Sequence, residues 1–221
     1  SREGIKYILR GNDFRSEGTQ PTEWTYGDGR QLSFIHSKYG NVKLKTFPNY
    51  TISNLVYYGF IKGVKSVYPY YYLDYNKGEA QAFLAEKYNW EYYGGHHHEN
   101  IFTKFVITYW LYEKFGIDKR KITLSAQILS CEITREAALR QLDVAPYDKN
   151  EIENTINYVI KKLDLSREEF NLIFVSEKHT YADYPSYTFI FGKMRKYFSP
   201  LLGLIFLHKP QSLFKAEIIK E

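Results

Sequence analysis

The sequence has almost no cysteine, because Cys131 is the only one in 221 residues. A single thiol excludes an intramolecular disulfide and any zinc site built from several cysteines. Long apolar runs are also missing. The most apolar segment, residues 201–207, falls far short of the roughly 20 residues that a membrane helix needs, and no apolar signal segment follows Ser1. The sequence therefore predicts no transmembrane segment.

The excess of positive over negative charge is small as well. The 30 lysines and arginines exceed the 25 acidic residues by so little that the formal net charge is +5. This balance argues against a dedicated nucleic-acid binder but is compatible with a phosphate-bearing ligand. Aromatic residues are abundant at 18% of the chain, and they provide ring surface for cores, pockets and interfaces.

The spacing of apolar residues predicts an α/β segment followed by a helical one. A buried strand is expected over residues 5–9, a loop over 10–29, and a second strand over 70–73. Ser166 and Glu169 form a capping box that predicts a helix start. The expected helices cover residues 31–39, 51–64, 76–88, 101–112, 122–130, 134–142, 151–163, 168–175 and 187–198. We expect a domain boundary between 1–98 and 99–221.

A glycine-rich loop follows the first predicted strand. In open α/β sheets ligands bind beyond the carboxyl ends of strands, so Gly11 and Asn12 are candidate nucleotide-binding residues. Glu17 is a candidate nucleotide and Mg²⁺ ligand through its carboxylate oxygens. The competing interpretation is an ordinary surface loop rich in turn-forming residues.

A second candidate site is the sequence GGHHHEN, which begins at Gly94 and precedes a predicted helix. In an extended segment His96 and His98 share one face and His97 points away. With Glu99 they are candidates for acid–base or metal chemistry. The zinc motif HExxH is absent, because Phe102 stands where the second histidine belongs. The alternative is a solvated helix start, whose dipole Glu99 complements.

A third candidate is basic and includes Arg120 and Lys121. Such a run is usually a solvated helix face, but arginine also binds phosphate through paired hydrogen bonds. The basic residues concerned are Lys119, Arg120, Lys121, Arg135 and Arg140.

Several of these segments, in this order, resemble bacterial N-acetyl sugar amidotransferases. The similarity covers most of the chain, up to about residue 198, and rests on the combination rather than on one motif. The matching segments are GIKYI from Gly4, SEG from Ser16, KLKTFP from Lys43, DYNK from Asp74, WEYYGGHHHE from Trp90, FGIDKRK from Phe115, ITREAAL from Ile133 and YPSY from Tyr184.

The resemblance implies a fold and a reaction. The expected fold is the end of a parallel-sheet, ATP-pyrophosphatase-like domain (adenine nucleotide α-hydrolase-like), followed by a mostly helical C-terminal region. The implied reaction is the ATP-dependent conversion of an acetamido group on a nucleotide-linked N-acetyl sugar into an acetamidino group, in lipopolysaccharide O-antigen biosynthesis. Ammonia would come from a glutaminase partner through a cyclase-like partner. ATP, Mg²⁺ and a cytoplasmic location are expected.

The resemblance also suggests roles for the candidate residues. Gly11, Asn12 and Glu17 would lie on the nucleotide and Mg²⁺ side. His96, His98 and Glu99 would serve catalysis near the reacting amide. The substrate would also contact Gly94, Gly95, Arg120 and Lys121.

One departure from the family bears on activity. Its members carry an SGGKDS pyrophosphate loop and paired cysteines in a part that would precede residue 1, and this sequence contains neither. The P-loop pattern GxxxxGK[ST] is absent too. We therefore expect the C-terminal part of a longer enzyme, inactive alone. The alternatives are a non-catalytic module that binds a sugar nucleotide or a partner, and a metal-dependent hydrolase built on His96, His98 and Glu99.

Overall fold

The computed structural model describes residues 3–21, 23–24 and 26–188 and divides the chain into two compact units. Unit 1 contains the chain up to Asp13, Thr19–Leu73 and the chain from His179 on. Unit 2 contains Phe14–Gly18 and Asp74–Lys178. Within the described ranges, no helix is both long enough and apolar enough to cross a membrane.

Unit 1 combines a small parallel sheet with short helices. Strand β1 (Tyr7–Leu9) pairs with β2 (Lys65–Val67), and Ile8 lies opposite Ser66 in the register. The helices are α2 (Gly29–Tyr39), α3 (Ile52–Val56), a π-helical continuation over Tyr57–Ile61, and 3₁₀ turns at Pro69–Tyr71 and Tyr181–Asp183.

Two strand predictions in unit 1 need correction. The first strand exists, but it is exposed rather than buried, because in the described chain it belongs to a sheet of two strands. The segment predicted as a strand over residues 70–73 is largely a 3₁₀ turn. The reason is Pro69, which suits the first position of a helical turn, and its carbonyl accepts hydrogen bonds from Tyr72 N and Leu73 N.

Asp28 fixes the start of α2 and attaches a distant segment to it. One carboxylate oxygen accepts hydrogen bonds from Arg30 N and Gln31 N, both at 2.8 Å. The other accepts from Tyr26 Oη at 2.5 Å and from Tyr187 N at 2.7 Å. Partial burial opposes ionisation, but these hydrogen bonds outweigh it and lower the pKa of Asp28.

Unit 1 is therefore expected to lose stability in acid through Asp28. A lowered pKa stabilises the fold above the ordinary carboxyl pKa of about 4, and this contribution disappears as the pH falls through the folded-state value. Asp28→Ala should lower the free energy of unfolding by about 1–2 kcal/mol at pH 7, since it removes a helix cap. Amide exchange in α2 between pH 7 and pH 3 measures both effects.

Asp28→Asn is the matched control for this prediction. It keeps an oxygen that caps α2 but removes the ionisable carboxylate, so its stability should depend less on acid than that of the wild type. An unchanged acid profile in Asp28→Asn would assign the acid sensitivity to other groups.

Unit 2 is helical in the part that the structure describes. After the short α1 (Phe14–Glu17) come α4 (Lys77–Tyr88), α5 (Ile101–Phe105) and a π-helical continuation over Val106–Lys114. The remaining helices are α6 (Arg120–Leu129), α7 (Arg135–Leu142), α8 (Ile152–Leu163) and α9 (Arg167–Val175). Ser166 and Glu169 form the predicted capping box at the start of α9.

The core of unit 2 is built from aliphatic and aromatic side chains of three helical segments. Phe105, Ile156, Val159 and Phe170 are buried together, and Trp110 packs against them. The rings of Phe105 and Phe170 lie 6.2 Å apart. Helix α4 does not contribute to this core, and its residues Phe83 and Tyr88 are largely exposed.

A buried lysine closes the C-terminal end of α9. Lys114 Nζ donates hydrogen bonds to the carbonyl oxygens of Ile173, Phe174 and Ser176, at 2.6, 2.8 and 3.0 Å. It also contacts Ser176 Oγ at 3.1 Å and lies over the Trp110 ring. The last carbonyls of a helix have no partner within the helix, so this ammonium group provides their hydrogen-bond donor. Its positive charge also interacts favourably with the negative end of the helix dipole.

The helical second half agrees with the sequence analysis, while the ATP-pyrophosphatase-like sheet stays a prediction. The described residues contain one parallel pair of strands, which is compatible with several α/β folds. The predicted helix over 187–198 and the apolar tail lie almost entirely outside the described residues.

Candidate functional site

The GGHHHE segment of unit 2 folds into a turn. Gly94 and His97 have positive φ angles of 88° and 60°, and His98 N donates a hydrogen bond to Gly95 O at 3.4 Å. Asn100 then caps α5 by accepting a hydrogen bond from Thr103 N at 2.9 Å. The segment therefore bends before the helix begins.

The prediction of an extended segment is wrong. His97 does not lie apart from His96, because the two rings are 3.9 Å apart between centroids. His97 Nδ1 lies 3.4 Å from Glu99 Oε1. The left-handed conformation at His97 breaks the alternation of faces that the prediction assumed. His97 consequently contacts both the His96 ring and the Glu99 carboxylate.

His98 lies directly over the backbone of Gly95. A Cβ atom at residue 95 would stand 2.5 Å from His98 Nδ1 and 2.6 Å from Nε2. Glycine thus permits the close approach of ring and backbone. Burial and the nearby Lys104 lower the pKa of His98, although Glu99 acts in the opposite direction.

His96 is half-buried among positive groups. Burial first, then His97, Lys77 and Lys119, lower the pKa of His96 to about 4. Lys77 is the first residue of α4, and Lys119 precedes α6. Glu99 is the opposing negative charge at this histidine. Burial also lowers the pKa of Lys119.

His96 is expected to remain neutral at physiological pH and to gain a proton only near pH 4 in the free protein. Because its pKa is lowered on folding, the unfolded chain takes up the proton first, so its contribution to stability falls between about pH 6.5 and pH 4. NMR titration of the imidazole signals measures this directly. A midpoint near 6.5 for His96 would contradict the described surroundings.

Glu99 completes the turn as an exposed carboxylate. Its own backbone N–H and then the His97 imidazole lower the pKa of Glu99, so it is negatively charged at neutral pH. The turn can therefore supply neutral imidazole nitrogens, one carboxylate and a positive field from lysines. These groups suit proton transfer next to a phosphate-bearing ligand.

Three aromatic rings precede the turn directly. Trp90 lies 6.0 Å from Tyr92 and 5.7 Å from Tyr93, and the two tyrosine rings are 5.9 Å apart, between centroids. Tyr92 and Tyr93 are 57% and 45% exposed. The spacing of residues does not by itself indicate a role for these rings, or for Lys77 and Lys104, although the density of aromatic residues around Trp90 is visible in the sequence.

Arg120 is held by protein groups. Its guanidinium donates to both carboxylate oxygens of Asp118, to Gln141 O at 2.7 Å and to Val144 O at 2.8 Å. Asp118 is buried and holds the guanidinium in place. Arg120 thereby connects the start of α6 to the end of α7. Such a network favours a structural role for Arg120. Lys121 is exposed and remains a candidate for substrate binding.

The predicted nucleotide-binding residues fall into different units. Gly11 and Asn12 belong to unit 1, whereas Glu17 ends α1 in unit 2. Gly18 follows in the left-handed conformation, and a Cβ there would come within 2.7 Å of Ile122 O, so α1 and α6 are closely packed. In the residues that the model describes, no three His, Cys, Asp or Glu side chains are grouped to hold a metal ion.

Unit 1 carries a cleft of about 700 Å³ that none of the predicted site residues lines. Leu32, Ile35 and Phe47 contribute apolar walls, and Tyr50 lies at its side. Asn49 also lines the cleft. Its side-chain nitrogen has a structural role, because it donates hydrogen bonds to Gly29 O at 2.8 Å and to Ser33 Oγ at 2.7 Å.

Comparison with known proteins gives one family match. Residues 99–197 match the model of the C-terminal domain of WbpG-like lipopolysaccharide (LPS) biosynthesis proteins. No curated protein and no solved structure matches the chain. The matched segment begins at Glu99 and contains α5 to α9. The family match confirms the resemblance for this C-terminal part.

Proposed function

We propose that this chain is part of an ATP-dependent amidotransferase. The proposal starts from the match of residues 99–197 to the C-terminal domain of WbpG-like LPS biosynthesis proteins. The substrate is a nucleotide-linked N-acetyl sugar of O-antigen biosynthesis, whose acetamido group becomes an acetamidino group. The observation that carries this proposal is the turn from Gly94 to Glu99, where imidazoles and a carboxylate meet the positive field of lysines.

The reaction has two bond exchanges. The acetamido oxygen first attacks the α-phosphorus of ATP, an oxygen–phosphorus bond forms, and pyrophosphate leaves. Ammonia then adds to the activated carbon, the carbon–oxygen bond breaks, and AMP departs with that oxygen. The nitrogen loses protons as the amidine forms. Adenylation matters because an amide oxygen is otherwise a poor leaving group.

The histidines of the turn fit the proton transfers of the second step. His96 is neutral in the free protein and so has a nitrogen that can accept a proton from the attacking nitrogen once ammonia has added to the carbon. A bound phosphate offsets the charges of Lys77 and Lys119 and raises the pKa of His96 towards neutrality, where a general base is most effective. His98 and Glu99 are the other proposed proton carriers.

We assign ATP as the activating substrate, with Mg²⁺ held mainly by its phosphates. A single carboxylate such as Glu17 is a usual protein contribution in that arrangement. Gly11 and Asn12 belong to the proposed nucleotide side. Ammonia is proposed to come from a glutaminase subunit through a cyclase-like subunit.

A binding role for this chain alone is the second candidate. It is favoured by the sequence, which contains the histidine turn but no SGGKDS loop for pyrophosphate. In that case the chain contributes the sugar nucleotide site, and another part supplies the pyrophosphate loop.

Pyrophosphate release tests both candidates. The reaction contains ATP, Mg²⁺, a UDP-linked N-acetyl sugar and ammonium, with either this chain alone or the complete amidating system. The complete system should release pyrophosphate only when the sugar is present, and the chain alone should release none. Rapid release by the chain alone would remove the need for a separate pyrophosphate loop. Release without sugar would contradict the proposed substrate.

A further inference from the structure

The aromatic rings before the histidine turn have no assigned function. Trp90 follows the end of α4 and is partly buried, and its backbone N–H donates a hydrogen bond to Leu84 O at 3.3 Å. Tyr92 and Tyr93 extend from this anchor and expose about half of their surface. We call Trp90, Tyr92 and Tyr93 the aromatic platform. A contiguous exposed apolar surface of this kind can mark a binding site.

The platform is adjacent to the basic turn by chain connectivity. Tyr93 is two residues from Gly95, so their Cα atoms are separated by at most about 7 Å. Gly95 in turn lies beneath His98. This short separation allows a ligand of the size of a nucleotide sugar to contact both the platform and the turn.

The chemistry of the neighbourhood selects the ligand. Lysine charges around His96 suit phosphate, and the imidazoles suit the acetamido group. The part of a nucleotide sugar between these two groups is the pyranose ring, whose faces carry C–H groups. Aromatic rings offer a flat apolar surface with a negative face, which is complementary to such C–H groups.

We propose that Trp90, Tyr92 and Tyr93 form the pyranose subsite, on which the N-acetyl sugar packs with its acetamido group towards His96 and His98 and its diphosphate towards Lys77 and Lys119. This inference rests on the proposed function, since it takes the nucleotide sugar as substrate. It adds a subsite that positions the sugar ring and requires no tyrosine hydroxyl.

Calorimetric titration of the whole chain with UDP-N-acetylglucosamine and with UDP tests the subsite. Tyr92→Leu and Tyr93→Leu remove the flat ring but keep apolar volume, whereas Tyr92→Phe and Tyr93→Phe keep the ring. The leucine variants should weaken binding of the sugar nucleotide about 3- to 10-fold, and the phenylalanine variants should bind like the wild type. Binding of UDP should be unchanged in all four.

Tyr158→Leu is the matched control, because Tyr158 is a partly exposed tyrosine on α8 of the same unit. It should bind both ligands like the wild type. Equal loss of UDP affinity in the leucine variants would place the base, not the sugar, on the platform and overturn the proposal. Wild-type affinity for the sugar nucleotide in those variants, or no binding by the wild type, would also overturn it.

Failure of the proposed function would look different. If the platform variants behave as expected but the complete system makes no acetamidino sugar, the subsite stands and the proposed reaction is wrong. If the reaction proceeds and the leucine variants bind normally, the reaction stands and the subsite is wrong.

Discussion

Replacing His96 or His98 with alanine is expected to lower the amidination rate of the complete system by at least about 100-fold. General acid–base catalysis typically contributes 10²–10⁴-fold to a rate, and the two imidazoles lie in the turn with the lysines and Glu99. The melting temperature should change little, because neither side chain belongs to the buried core. Steady-state kinetics at pH 7 measures the loss.

His97→Ala should also reduce the rate, contrary to the expectation from an extended segment. His97 touches the His96 ring and lies beside Glu99, so its loss alters the surroundings of both groups. His179→Ala is the matched control, since its exposed Nδ1 lies 3.8 Å from the Asp183 carboxylate but outside the turn. Small, equal losses at all four positions would identify the turn as a solvated helix start.

Lys114→Met should cause the largest loss of stability among the substitutions considered. The substitution removes the hydrogen bonds of a charged donor to the carbonyls at the end of α9, and hydrogen bonds to charged groups contribute about 1.5–3 kcal/mol. Because methionine keeps much of the apolar stem, we expect a loss of about 3 kcal/mol in the free energy of unfolding. Urea denaturation followed by tryptophan fluorescence, near Trp110, measures it.

Lys162→Met provides the comparison for Lys114→Met. Lys162 is an exposed lysine on α8 that lies over the Tyr158 ring, so its replacement should change stability by less than about 0.5 kcal/mol. Equal stabilities of the two variants would show that the Lys114 hydrogen bonds contribute little.

Helices with local signals could be predicted from the sequence. Ser166 with Glu169, and Asn76 before α4, mark helix starts through side chains that cap the first backbone N–H groups. These signals depend on residues a few positions apart. Helices α6, α7, α8 and α9 consequently lie close to their predicted ranges.

Features that depend on backbone angles or distant contacts could not be predicted in this way. Positive φ at His97 has no sequence marker comparable to glycine, so the sequence predicts an extended segment where the structure has a turn. Arg120 finds two of its partners at the end of α7 and just after it, and Lys77 and Lys119 approach His96 from the starts of α4 and α6. The sequence identified the histidines as a cluster, but only the fold reveals their charged surroundings.

Incorporation of labelled nitrogen tests the central claim most directly. The complete system is supplied with ATP, a UDP-linked N-acetyl sugar and isotope-labelled ammonium, and the sugar product is analysed by mass spectrometry. The account predicts a labelled acetamidino sugar, formed with equal amounts of AMP and pyrophosphate, and its near absence when His96 or His98 is alanine. Recovery of unlabelled acetamido sugar alone, or full product formation by both histidine variants, would contradict it.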